Sequence, residues 1–345
     1  MSRIFINGCG AVSPAGWGIT ALRDALNKAE PLPSKPLARP GLEKPLLIRQ
    51  PPPANPRPPF LAHPRLRRTS PISQYVVAAA LEALGPDAAL VSQSRLRLGI
   101  VLSVMCGCVN YSRRFYDEAL RDPATASPLV FPETVFNAPA SHIATLLGTP
   151  AINYTLVGDP GTFLQGLALA AHWLAADTVD ACLVIGAEEC DWLTSDAFHL
   201  FSKNLVLSDG AGALYLRKEA TPSTLAELKS ITDAQLFHDR SGRLLAARRA
   251  RQQIPTNFTN ALLCDGLQNI SRLDSAECAA WQDWPGARLS PKAILGEGLL
   301  AAAGWQCVAA IDAIQQSGYS DAIVSIVGCN QQAIAAQFSR VKSGN

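Results

Sequence analysis

Two kinds of segment alternate along the chain. Short runs rich in apolar and β-branched residues predict strands at Arg3–Asn7, Leu98–Ser103, Ala151–Val157, Ala181–Ala187, Gly212–Leu216, Ala261–Cys264, Ala322–Val327 and Ala333–Arg340. Apolar residues three and four apart predict helices at Val109–Leu120 and Ala138–Leu147, the latter through Ile143, Leu146 and Leu147. Thr162–Ala176 and Gly298–Gln316 are helical stretches apolar on nearly every side, so both should be buried. Strands alternating with helices predict the α/β class. Two helices buried all round predict a helix layer between two sheets, hence a five-layer αβαβα fold. The second half of the chain repeats the theme of the first, which divides it into 1–218 and 219–345.

One stretch breaks this alternation. Pro31 to Pro59 holds 11 of the 25 prolines, including Pro51-Pro52-Pro53. Proline lacks a backbone donor and fixes φ, so neither helix nor central strand is expected here, only an extended excursion packed on the surface. Arg65, Arg67 and Arg68 follow as a solvated rim.

Composition narrows the function classes. A chain of 345 residues, 48% hydrophobic and 17% charged, can bury a large core and is not a disordered protein. Thirty Lys+Arg against 28 Asp+Glu leave a net charge of +2, too weak a field to draw nucleic acid or an acidic membrane. Apolar runs such as Ala181–Ala187 and Leu299–Ala303 fall far short of the ~20 residues of a membrane span. The start lacks the charged-then-apolar order of a secretory signal. The nine cysteines, an odd number lying mostly in apolar runs, read as reduced thiols of a cytoplasmic protein. Cys106-Gly-Cys108 has no second pair to complete a metal site, and Gly8-Cys-Gly10 is too short for a dinucleotide fingerprint. No metal and no cofactor are expected.

Longer motifs point to a family. The chain opens Ile4-Phe-Ile-Asn-Gly-Cys-Gly-Ala-Val-Ser-Pro-Ala-Gly16. Arg67-Arg68 follows, with Ser73-Gln-Tyr75 and Ala78-Ala-Ala80, then Phe131-Pro-Glu-Thr-Val-Phe-Asn-Ala-Pro-Ala-Ser-His142 and Asn153-Tyr-Thr-Leu156. Gly186-Ala-Glu188, Asp209-Gly-Ala-Gly212, and Lys292 with Gly296 and Ala301–Gly304 complete the order. No single segment decides it, but the ordered set resembles the β-ketoacyl synthases of the thiolase superfamily. The resemblance implies the same five-layer fold, reached above from periodicity alone.

In that family a cysteine opening the buried helix attacks a thioester. The helix N-terminus and nearby histidines lower its pKa, and backbone N–H groups hold the oxyanion. By the resemblance the cysteine position falls on Pro160, within Gly158-Asp-Pro-Gly161. Proline brings neither nucleophile nor N–H, yet it suits a first helical turn, so the helix survives without the chemistry. The first catalytic histidine falls on Asp265, before Gly266, and the second on Glu297, after Gly296. Lys292 is retained. The glycine turn that gates the family's pocket has become Val327-Gly-Cys-Asn330, and the stretch from Cys190 to Asp209 is compressed.

Two readings of the acids stand side by side. Asp159, Asp265 and Glu297 could form a new acid–base or metal site, or be polar replacements bonded to Lys292 and backbone donors. The histidines read as packed or surface residues: His142 and His172 on helices, His199 in the compressed loop, His63 and His238 in polar surroundings.

A ketosynthase-like chain without its nucleophile resembles the chain length factors of type II polyketide synthases, among them those of aryl polyene clusters. The resemblance implies a non-catalytic subunit in heterodimer with an active ketosynthase, and an acyl carrier protein reached through the complex. It implies pairing through the strand Ala151–Val157, in an obligate interface of roughly 2,000 Å² or more. It also places Met105, Cys108, Tyr111, Phe115, Phe131, Thr134 and Phe136 at the tunnel and interface. Cys108, Tyr111 and Phe115 share a helical stripe at i, i+3 and i+7. Two alternatives remain: an acyl thioester hydrolase or acyltransferase using Asp159, Asp265 or Glu297, and a homodimeric acyl-binding protein.

Overall fold

The computed structural model describes residues 3–255 and 258–341. The first half of the chain runs β1 (Ile4–Ser13), β2 (Gly16–Trp17), α1 (Ile19–Lys28), β3 (Lys35–Arg39), β4 (Leu42–Arg49), α2 (Pro71–Leu84) and α3 (Asp87–Ser92). It continues through β5 (Leu98–Val104), α4 (Val109–Arg121), α5 (Ala138–Leu147), β6 (Ile152–Val157), α6 (Thr162–Ala175), β7 (Ala181–Glu188), α7 (Trp192–Phe201), β8 (Leu207–Ser208) and β9 (Gly210–Arg217). The second half holds β10 (Ala226–Ile231), β11 (Gln235–Leu236), α8 (Arg240–Gln252), β12 (Ala261–Cys264), α9 (Ser271–Ala280) and β13 (Ala287–Leu289). It closes with α10 (Pro291–Leu295), α11 (Leu300–Gln316), β14 (Asp321–Val327) and β15 (Gln332–Ser339).

The main sheet runs in the order β6-β5-β7-β9-β1-β10-β15-β14-β12-β13. Its two five-strand halves repeat one pattern. β6, β5 and β7 are parallel and are followed by antiparallel β9 and β1. In the same way β13, β12 and β14 are parallel and are followed by antiparallel β15 and β10. The halves meet where β1 pairs antiparallel with β10, from Ile4↔Leu228 to Ile6↔Ala226.

Helix α11 packs on β7 and β9 of one half and on β12 and β14 of the other, with α6 beside it. Helices α2, α3 and α5 cover the outer face of the first half, and α8 and α9 that of the second. The layers are therefore αβαβα, as the sequence predicts. Helix α11 lies so close to the sheet that a Cβ built on Gly212 of β9 would stand 2.5 Å from the carbonyl carbon of Gly304. Glycine at both positions is what permits that approach.

Three expectations need correction. The proline-rich stretch is not wholly irregular: β3 and β4 form a hairpin turning at Gly41, and Ile48 of β4 pairs in parallel with Leu207 of β8. Pro36 lies on the edge strand β3, and Pro45, on the middle strand β4, sits where the β3–β4 register shifts and so interrupts no regular ladder. Helix α6 is not buried all round, since Gln165, Ala168 and His172 are exposed on a stripe beside the sheet's terminal strand β6. His199 lies on helix α7, not in a loop; Asp191 starts that helix by accepting from Thr194 N at 2.8 Å while the Thr194 hydroxyl lies 3.2 Å from Asp191 N.

Candidate functional site

The carboxyl ends of β5, β12 and β14 open on one side of the fold, the usual place for a ligand in an α/β sheet. A cavity of about 340 Å³ lies there. Met105 follows β5, Gly266 follows β12 and Val327 ends β14. Lys292 comes from α10, Glu297 and Leu299 from the turn into α11, and Phe198 and Phe201 from α7. Cys329 also lines it.

Pro160 does not lie inside the first turn of α6, as the sequence suggested. Gly161 is the cap and α6 begins at Thr162, so Pro160 stands just ahead of the helix. The helix is held from the front by Asp159. Its carboxylate accepts from Gly161 N at 3.2 Å, Gln331 N at 3.2 Å, and Gln332 N and Nε2 at 3.3 and 3.2 Å. Burial raises the Asp159 pKa and these four donors oppose it. The group acts as a clamp between α6 and β15.

The other two acids are also held, although Asp265 Oδ2 has no hydrogen-bond partner among the described residues. Asp265, fully buried, accepts from Ser290 Oγ at 2.6 Å and Leu267 N at 3.3 Å; Arg288 lies 3.6 Å from its Oδ2. Burial raises its pKa. Glu297 accepts from Lys292 Nζ at 2.8 Å and Leu299 N at 2.8 Å. Its backbone is pinned between Val206 and Ser208, with both bonds at 2.9 Å. Asp159, Asp265 and Glu297 share no hydrogen bond among the described residues, each being held locally. No group of three or more His, Cys, Asp or Glu side chains there is arranged to hold a metal ion.

Glu277 is an addition the sequence reading missed. It lies on α9, accepts from Ser325 Oγ at 2.5 Å and Gly266 N at 3.2 Å, and is pushed up to about 7 by burial and then by Asp265. No local pattern betrays it, because α9 is a short helix of mixed polarity. Cys329 opens into the cavity, yet the walls around it push its thiol up to about 12, helped by Asp159 and Glu297. It is not a thiolate at neutral pH.

The tunnel and interface candidates separate into groups. Met105 alone of them lines the cavity. Its N–H and that of Cys106 donate to Glu188, which burial pushes up to about 8. Cys108 is buried in the outer core ahead of α4, its thiol 3.7 Å from the Val135 carbonyl. Phe115 meets Phe131 with ring centroids 5.3 Å apart. Tyr111 carries the Arg114 guanidinium at 5.8 Å. Phe136 closes over Gly107, whose φ of 60° and lack of a Cβ make room for the ring. The Thr134 carbonyl accepts from Ser112 Oγ at 3.1 Å. Helix α4 buries none of its residues, so of the stripe only Cys108, ahead of the helix, belongs to the core.

The Lys292–Glu297 pair yields a stability prediction. Both side chains are almost wholly buried. Lys292→Met should cost about 3 kcal/mol by leaving Glu297 charged and under-compensated. Adding Glu297→Gln should return part of that loss. Urea unfolding midpoints of both variants check it.

Comparison with known proteins identifies the fold. A family model for 3-oxoacyl-[acyl-carrier-protein] synthase III matches residues 160–234. A chain of a type II polyketide synthase acyl-carrier protein complex with its ketosynthase, bound to the hexaketide, superposes with a TM-score of 0.79 at 17% identity, covering 99% of both chains. A β-ketoacyl synthase from Burkholderia phymatum STM815 gives 0.81 at 17%, covering 99% of this chain and 100% of that one. The fold is that of the ketosynthases. The ishigamide ketosynthase/chain length factor is similar too, with a TM-score of 0.74 at 18% identity, covering 99% and 100%. No curated protein matches the sequence. Lys292 and Glu297, two of the four positions that the resemblance singled out, line the cavity; Pro160 and Asp265 do not. No helix among the described residues is long and apolar enough to cross a membrane.

Proposed function

We propose that this chain is a non-catalytic ketosynthase-like subunit, a chain length factor of type II polyketide synthesis of the aryl polyene kind. In this reading it pairs with an active ketosynthase in the cytoplasm and shapes the acyl tunnel from its side, and an acyl carrier protein is met through the complex. The observation that carries the reading is the free edge of β6. This strand ends the main sheet and pairs only with β5 among the described residues. Tyr154 and Val157 on it are 53% and 57% exposed, and Phe131, Val135 and Phe136 add an apolar surface elsewhere in the same half of the chain. An exposed apolar edge is a hazard in a monomer and a template for a partner. The absence of a nucleophile at Pro160 supports a non-catalytic role. Co-expression with an active type II ketosynthase should give a 1:1 complex by size-exclusion chromatography. A chain that only self-associates under these conditions favours the homodimeric acyl-binding alternative and rejects the chain length factor.

Tunnel shaping has its own test. Phe115 and Phe131 pack against each other, so truncating one ring leaves a gap that a close-packed surface does not refill. Phe115→Ala in an intact heterodimer should lengthen the product by at least one two-carbon unit, read from the product mass distribution. An unchanged distribution removes Phe115 from the length-setting group.

A further inference from the structure

Helix α7 turns two faces to two openings. Phe198 and Phe201 line the cavity described above, whereas Ser195 and His199, one turn apart, line a separate pocket of about 300 Å³ shared with the β3–β4 hairpin. The Arg39–Asp196 ion pair, at 2.7 Å, holds the hairpin against the helix. Buried Leu46 of β4 and Leu207 of β8 supply apolar lining, and exposed Lys44 and Lys203 stand at the mouth.

The charge in this lining is of one sign. Lys44 and Lys203 line the pocket with His199 and Asn204, and no carboxylate does. Among the described residues the lysines that form ion pairs are Lys218, Lys229 and Lys292, so these two are uncommitted. Asp196, next to Ser195 in the chain, is engaged by Arg39; Glu43, next to Lys44, is exposed and does not line the pocket. A second observation points the same way. Ser195 is only 5% exposed, and its hydroxyl has no hydrogen-bond partner among the described residues. A buried hydroxyl without a partner is unfavourable, and an acceptor entering the pocket removes that penalty.

We infer that this pocket binds a small phosphomonoester, its phosphate held by Lys44 and Lys203 and accepting from the Ser195 hydroxyl, its organic part against Leu46 and Leu207. A phosphomonoester carries close to two negative charges at neutral pH and three acceptor oxygens, which matches two ammonium groups and a waiting donor. The volume lies at the lower end of the ~300–1,000 Å³ range of small-molecule sites, which suits a compound the size of glycerol 3-phosphate. A ligand here bridges the hairpin to α7, the helix whose other face lines the larger cavity. The inference involves neither the nucleophile position nor β6, so its failure is distinct from failure of the proposed pairing.

The test is calorimetric titration of the full-length chain in phosphate-free buffer at constant ionic strength. Glycerol 3-phosphate should bind saturably at one site, at least tenfold more tightly than dimethyl phosphate, a singly charged diester, and glycerol should not bind. Lys44→Gln with Lys203→Gln should weaken glycerol 3-phosphate at least tenfold. Both side chains are exposed and unpaired, so an unchanged thermal midpoint confirms the fold. Ser195→Ala should weaken binding at least threefold while leaving the midpoint of the free chain unchanged or higher, because it deletes an unpaired buried hydroxyl. Loss of binding in the lysine variant with full affinity in Ser195→Ala means attraction to surface charge alone and overturns the inference. No saturable binding, equal binding of dimethyl phosphate, or full affinity in the lysine variant also overturns it.

Discussion

The purified chain should form no condensed product from acyl- and malonyl-carrier protein, and no covalent acyl adduct. By the family resemblance Pro160 stands at the nucleophile position, and the Asp159 carboxylate beside it is occupied by four donors. The thiol that lines the cavity, Cys329, is pushed up to about 12. It therefore stays a thiol at pH 7, a weak nucleophile. Loss of a nucleophile costs on the order of 10⁶ in rate, and loss of its partners adds little because they work as a unit. Pro160→Cys should not restore activity. The start of α6 favours a thiolate by at most ~2 kcal/mol, while the adjoining Asp159 opposes it. Mass spectrometry of the chain after incubation reads both results. An acyl adduct on the native protein, or neutral-pH iodoacetamide labelling of the introduced thiol at a ketosynthase-like rate, would show this electrostatic picture to be wrong.

The elements legible in the sequence are those whose burial is recorded in their own residues. Helix α11 is buried along nearly all of its length, so its all-round apolarity names both its structure and its layer. Strands β5 and β7 are buried at every position, and their unbroken apolar runs say so. Helix α8 was invisible for the opposite reason. Its sequence Arg-Ser-Gly-Arg-Leu-Leu-Ala-Ala-Arg-Arg-Ala-Arg-Gln buries only Ala246, Ala247, Ala250 and Arg251, a narrow seam of three alanines and an arginine. Strand β10 alternates apolar and polar only over Ala226, Glu227, Leu228 and Lys229 before its register shifts between Leu228 and Ser230, too short a run to stand out. Helix α6 shows the limit of the method: apolarity all round predicted burial all round, but the helix lies beside an uncovered sheet edge.

The resemblance singled out Pro160, Asp265, Glu297 and Lys292, and the fold brings Lys292 and Glu297 of these to the lining of one cavity. What spacing could not reach was contact made by tertiary packing. Glu277 arrives from α9, Arg240, Arg243 and Arg272 from α8 and α9, and Phe198 and Phe201 from a segment read as a compressed loop. The stripe Cys108, Tyr111 and Phe115 was divided for the same reason: helical spacing sets which residues share a face, while the neighbours decide which of them is core.

The largest effect on assembly is expected from two lysines on the sheet edge. Ile152 and Val157 stand at the two ends of β6 and are exposed, 38% and 57%. Lysine on an edge strand is a natural device against strand pairing, because its charge must be stripped of water when a partner strand docks. Each unpaired buried charge costs at least about 1–3 kcal/mol. The double variant Ile152→Lys with Val157→Lys should therefore raise the dissociation constant of the proposed heterodimer by roughly one to four orders of magnitude. The isolated chain should keep its fold, since both side chains are partly solvated already, and circular dichroism with a thermal melt checks that. Co-purification with a tagged ketosynthase, followed by analytical ultracentrifugation, measures the loss. If the double lysine variant stays folded and still assembles at wild-type affinity, β6 is not the pairing strand. The exposed apolar surface around Phe131 and Phe136 then becomes the place to look for the interface.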